Sequence, residues 1–164
     1  MKHTVQLLFA LTFLIWTSCD KEPNSPSNEF SLNSEQHKGF LFEDLKVIDS
    51  PNSSGILPDF LVLAQTNENG DVLSPFLANP LLENRFILSE EFEDIENAEQ
   101  YFESYSTPED GPFLQNALNI KPYQIWIIKT NKGDFGKILI LNSIYKSIDD
   151  TPYAEISFKA DKLE

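Results

Sequence analysis

The stretch from Tyr123 to Tyr145 constrains the fold more than any other part of this chain. Two runs of β-branched, aliphatic and aromatic residues, around Ile125 to Ile128 and Ile138 to Leu141, flank Asn131-Lys132-Gly133-Asp134. Asn and Gly tolerate the positive φ that a tight antiparallel turn demands, so the pattern predicts a central β-hairpin. Alternation fails within it: Ile125 and Ile127 point one way, Trp126 and Ile128 the other, and Ile138 to Leu141 load both faces. Strands apolar on both faces are covered on both sides, so the hairpin is expected inside a sheet with other elements above and below it.

Elements to cover it are legible on both sides. Gly39 to Phe42 with Leu45 to Ile48 reads as a first strand or strand pair, closed by the turn-rich Asp49 to Gly55. Phe60 to Ala64 reads as a buried strand, and Asn69-Gly70 as a tight turn into Val72-Leu73. Pro75 and Pro80 predict a loop or sheet edge over 75–83, followed by a short strand from Arg85 to Leu88. In the acidic run 90–105, Phe92, Ile95, Ala98, Phe102 and Tyr105 recur at the three- and four-residue spacing of one helix face, with acids on the other. Leu114 to Leu118 is expected to add one further turn before Pro122. Beyond the hairpin, 147–152 reads as a loop. In the last strand Ala154, Ile156, Phe158 and Ala160 face inward, and Glu155, Ser157 and Lys159 outward. The expected class is therefore α+β and β-rich: a largely antiparallel sheet or sandwich, one amphipathic helix over about 90–105 packed on it, and a C-terminal three-stranded meander.

Twelve Lys and Arg against 26 Asp and Glu give a net charge of −14 over 164 residues. A field of that sign repels phosphate backbones and anionic lipid headgroups alike, so no nucleic-acid partner is expected. Thirteen Phe, five Tyr and two Trp are too many aromatics for a disordered acidic chain, and the acidity therefore decorates a folded domain.

The first 18 residues are of another kind. Lys2 precedes an apolar stretch, Val5 to Trp16, interrupted only by Gln6 and Thr12 and followed by Thr17-Ser18. Twelve residues at about 1.5 Å each reach about 18 Å, well short of the roughly 30 Å hydrocarbon core, so the pattern predicts a secretory signal rather than a spanning helix. Cys19, the chain's single cysteine, follows directly. Ile15 to Cys19 resembles the lipobox of bacterial lipoproteins, with Trp16 where that family usually has Leu. The resemblance implies cleavage between Ser18 and Cys19 and lipidation of Cys19. Ordinary cleavage near the same point, leaving a soluble protein with a free thiol, is the alternative. Asp20-Lys21-Glu22 resembles the export signal that sends lipoproteins of the Bacteroidota to the outer leaflet of the outer membrane. The expected organisation is a signal peptide over 1–18, a lipidated cysteine and polar tether over 19–36, and one globular domain over 37–164. The protein would then sit in the cell envelope, anchored by lipid to the outer membrane and facing either the periplasm or the outside.

Residues that carry chemistry are sparse. Beyond the leader only His37 remains of the two histidines, and with Cys19 acylated no zinc set exists. No catalytic residue, cofactor or metal is assigned. Asn67 to Asp71 lacks the spacing of an EF-hand loop and reads better as a hairpin turn, with Asp149-Asp150 a weaker calcium candidate. Gly133 and Gly136 lie between strands rather than before a helix, so they are read as serving a turn and make no phosphate cradle. Lys129, Thr130, Lys132, Asp134 and Lys137 are left free at the hairpin tip to touch a partner.

Tyr123 to Leu141 is also similar to a strand pair in small Bacteroidota lipoproteins, including the HmuY-like β-rich haem carriers. That resemblance implies a β-rich domain outside the inner membrane. The haem activity does not carry over, because that activity uses paired axial histidines and this chain keeps one. The leading expectation is a lipid-anchored, non-enzymatic binding or structural module with an unknown protein or glycan partner. The alternatives are a carboxylate-dependent hydrolase of extracellular glycans and a small-ligand carrier using Trp126 or Tyr145.

Overall fold

A computed structural model describes residues 28–108 and 111–163. Cys19, Ser18 and the Asp20-Lys21-Glu22 stretch lie outside these residues.

Among the described residues, ten strands and one helix follow in the order β1 (Glu29–Asn33), β2 (Lys38–Leu41), β3 (Lys46–Asp49), β4 (Phe60–Thr66), β5 (Val72–Ala78), β6 (Phe86–Glu91), α1 (Ile95–Ser104), β7 (Asn116–Ala117), β8 (Gln124–Lys129), β9 (Phe135–Ile148) and β10 (Thr151–Leu163). They form two antiparallel sheets, β1-β10-β9-β8-β6 and β3-β2-β4-β5-β7. The chain is thus α+β and β-rich, with the expected hairpin as β8 and β9 at the middle of the first sheet.

The failed alternation of that hairpin has a direct cause. Trp126, Ile128, Ile138 and Ile140 join Phe40, Phe60, Val62 and Leu77 of the second sheet in one buried cluster. Ile125, Ile127 and Leu139 project from the opposite face and pack with Ala98 and Phe102 of α1. Two apolar faces correspond to two covers, one a sheet and one a helix. At about 25 cal/mol per Å² of apolar surface removed from water, this double burial makes β8 and β9 the main anchorage of the core.

The helix is shorter than its periodicity. Glu90 and Glu91 are held in β6, paired with Ile125 and Gln124, so strand hydrogen bonds claim the first residues of the amphipathic run. Asp94 then caps the helix, its Oδ1 accepting from the Asn97 N–H at 2.9 Å. Of the expected face, Ala98 and Phe102 are buried, and Phe92, Ile95 and Tyr105 pack beside them.

Three further expectations change, while the loop or sheet edge expected over 75–83 is met in its second form at Pro75, which lies inside β5 opposite Ala64 of β4. β7 covers β5 only at Leu77 and Ala78, so the missing N–H of Pro75 falls where no partner strand needs it. Leu114 to Leu118 adds no helical turn: it contains β7 and a bridge from Leu114 to Phe86, because the β5 edge and Phe86 take up its backbone groups. The domain also starts earlier than residue 37, since Glu29–Asn33 pairs with Lys159 to Glu155 of β10 and Leu32 is fully buried.

The third change concerns 147–152. Ser147-Ile148 and Thr151-Pro152 belong to β9 and β10, and only Asp149-Asp150 turns, both at positive φ (47° and 61°). A two-residue turn with this geometry is type I′, which favours Gly at its second position. Asp150→Gly is therefore expected to stabilise the domain by about 1 kcal/mol, seen as a higher urea midpoint at unchanged slope. An unchanged or lower midpoint would contradict this.

Candidate functional site

The turn between β8 and β9 is built as expected. Gly133 adopts φ +94° and donates to the Thr130 carbonyl, while Thr130 N–H donates to Asp134 O. Around this turn the loops of both sheets converge on a groove of about 400 Å³. Leu41, Phe42, Ile56, Leu57, Leu81 and Phe135 supply its apolar lining. Glu43, Lys132, Asp134 and Lys162 add charge at the same groove.

A buried polar network holds the turn against the second sheet. Asp59 is 2 % exposed; its Oδ2 accepts from Phe42 N–H at 2.8 Å and its Oδ1 from Asn131 N–H at 2.7 Å. Asn79, also buried, donates through Nδ2 to the Asp59 carbonyl and to Asn131 Oδ1. Asn131 in turn donates to the carbonyls of Leu57 and Pro58. Arg85 closes the other side, its guanidinium donating to the Thr130 carbonyl and pairing with Glu83. Burial pushes the Asp59 carboxyl above its ordinary value, against the opposing pull of the Asn131 and Phe42 N–H groups and the Arg85 charge.

The residues assigned to the hairpin tip therefore separate. Thr130, Lys132 and Asp134 line the groove. Lys132 Nζ reaches Glu43 Oε1 at 2.5 Å, and Lys162 Nζ donates to the Glu43 carbonyl at 2.6 Å. Lys129 is exposed but does not line the groove. Lys137 is not free: it is 4 % exposed on the helix side of β9. Its Nζ donates to the carbonyls of Phe102 and Tyr105 at 2.5 and 2.7 Å and lies 4.7 Å from the Phe102 ring centroid.

Helix α1 has no basic residue in its last turn, so Lys137 supplies the cation its C-terminal carbonyls favour. Burial lowers the Lys137 ammonium pKa from its ordinary value, opposed by Asp161 and Glu103. Lys137→Met keeps the apolar stem but strands both carbonyls. It is expected to cost about 2 kcal/mol and to speed amide exchange in the last helical turn; unchanged exchange there would refute the capping role.

Gly136 does not serve the turn. It lies within β9, where an added Cβ would stand 2.2 Å from the Phe42 ring, so its absent side chain is what lets Phe42 form part of the groove. Trp126 fills the core, its Nε1 donating to Gln124 Oε1 at 3.1 Å, and Tyr145 is half exposed on the outer part of β9. Neither lines the groove. His37 is exposed in the turn between β1 and β2. Asn67 to Asp71 is the β4–β5 turn, with Asn67 Oδ1 accepting from the N–H groups of Asn69 and Asp71.

The groove was half visible in the sequence. The tip residues pointed to one wall, whereas Asp59, Asn79 and Arg85 look like ordinary loop and strand-end polar residues until the fold buries them together. Compared with known proteins, the chain matches no family model, no curated protein and no solved structure.

Proposed function

We propose that this chain is a lipid-anchored, extracytoplasmic binding module without catalytic activity, whose partner seats in the groove beside residues 130–134. The carrying observation is that groove: an apolar lining with charged groups placed around it, held in shape by buried hydrogen bonds. Concave, mostly apolar sites with a few fixed polar groups are the usual form of ligand sites. Within this reading the two sheets are the layers of a sandwich, β8 to β10 its three-stranded meander, and α1 an outer cover.

A carboxylate-dependent hydrolase of extracellular glycans is the rival reading, since Glu43, Asp59 and Asp134 share the groove and Asp59 has a raised pKa. The two backbone donors on Asp59 favour a structural carboxylate over a proton-transfer group, because each of its oxygens is already engaged.

The anchor is tested by feeding radiolabelled palmitate. Label is expected in the wild-type protein and absent after Cys19→Ser, and equal labelling of both would refute it. For the groove, the folded protein is expected to enhance the fluorescence of anilinonaphthalene sulfonate. Ile56→Asp, at a residue 48 % exposed, should abolish the enhancement without moving the unfolding midpoint. Dye binding equal to wild type in that variant would count against the groove.

A further inference from the structure

Four of the exposed large apolar side chains stand on two loops at the groove end of the molecule. Ile56 and Leu57 stand on the loop before β4, and Leu81 and Leu82 on the loop after β5; Leu82 is 69 % exposed at a φ of 56°. The two loops are brought together by the Asn79–Asn131 and Asn131–Leu57 hydrogen bonds, with Ile56, Leu57 and Leu81 lining the groove. Contiguous exposed apolar surface of this kind marks an interaction site.

The register shows where the chain joins this end. Asn28 O accepts from Ala160 N–H, and Ala160 to Leu163 pairs with Ile138 to Phe135, the residues that run into the 130–134 turn. Asn28 therefore lies about 10 Å along the strand from the level of the groove. The Asp149-Asp150 turn lies the other way, nine residues from Ala160, or about 30 Å. Nine peptide steps lead from Cys19 to Asn28, and even fully extended they reach about 30 Å. The tether therefore joins the chain about 10 Å from the loop end and about 30 Å from the β9–β10 tip, which leaves the loop end closer to the point where a lipid on Cys19 would attach.

Charge agrees with this orientation. Although the chain carries −14, the groove lining sets Lys132 and Lys162 beside Glu43, Asp59 and Asp134, so this end is far less acidic than the chain as a whole. From the position of the apolar loops and the site where the tether enters, we propose that Ile56, Leu57, Leu81 and Leu82 dock on the lipid surface that anchors the protein. The groove then opens at the headgroup level. This rests on the lipid-anchored reading, and it names the bilayer as the partner of that end.

The test uses full-length processed protein in phosphatidylethanolamine–phosphatidylcholine vesicles, with a single introduced thiol carrying a nitrobenzoxadiazole dye at Leu82→Cys, Ile56→Cys or Ser147→Cys. Intact mass first establishes the acyl groups on Cys19. Blue-shifted emission quenched by doxyl lipids is expected at positions 56 and 82, and water-like, unquenched emission at 147. Acylated protein with equal emission at all three positions would overturn the docking while leaving the anchor intact. Protein without acyl groups would overturn both. Two independent positions on the loops guard against a local disturbance at either one.

Discussion

Asp59→Ala is expected to destabilise the domain by about 4 kcal/mol, the largest effect of any polar substitution argued from this structure. The substitution removes the acceptor from two backbone donors, Phe42 N–H and Asn131 N–H, and each buried donor left unmade costs about 1–3 kcal/mol. One donor belongs to the residue after β2 and the other to the β8–β9 turn, so a single side chain ties the second sheet to the hairpin of the first. Urea unfolding at unchanged slope measures the loss. A shift of less than 1 kcal/mol would show that water or a neighbouring group replaces the carboxylate.

The same residue carries a pH signature. Because burial raises the folded-state pKa of Asp59 above its ordinary 3.8, the folded chain binds this proton more tightly than the unfolded chain. The stability from this linkage is fully present below about pH 4 and is lost as pH rises through the raised folded value. The gap between wild type and Asp59→Ala should therefore narrow with rising pH across that window. A gap that widens instead would mean that the backbone donors and Arg85 outweigh burial.

Gly136→Ala is expected to cost about 3 kcal/mol, although glycine is ordinarily the weaker of the two residues inside a strand. Its Cβ would stand 2.2 Å from Phe42 Cε1 and 2.3 Å from Cδ1. The Phe42 ring is buried and set edge-on to Phe40 at 5.1 Å between centroids, with Phe60 at 6.2 Å, so any shift away from the new Cβ disturbs those contacts or fills the groove. Overpacking of this kind forces strained rotamers or backbone shifts. Phe42→Leu should rescue part of the loss in the double variant, giving a favourable coupling of more than about 1 kcal/mol. Strictly additive losses would place the strain elsewhere. Since Phe42 also lines the groove, Gly136→Ala should weaken dye binding as well as stability.

Local patterns sufficed where one element makes its own case. The hairpin, with apolar residues on both faces and an Asn-Lys-Gly-Asp turn, was recognisable because strand propensity and turn chemistry agree over a short range. The inward set Ala154, Ile156, Phe158 and Ala160 was equally plain, and all four are buried. The helix shows the limit. The expected helix reached back to Glu90, yet pairing of Glu90 and Glu91 with β8 claimed them for a strand, and Asp94 set the start.

By itself the sequence determined that an acidic, aromatic-rich chain folds as a β-rich domain around the 123–145 hairpin, and that the 130–134 turn stands at its tip. Only the tertiary structure decided what that tip is for. Lys137 left the list of free groups because β9 turns it under the helix, and Gly136 became a packing residue because Phe42 arrives from the turn after β2, about 90 residues away in sequence. Asp59, Asn79, Arg85 and Asn131 form a network only when loops from both sheets meet. Burial, which turns an ordinary carboxylate or lysine into a structural one, depends on neighbours distant in sequence, and no local pattern encodes it.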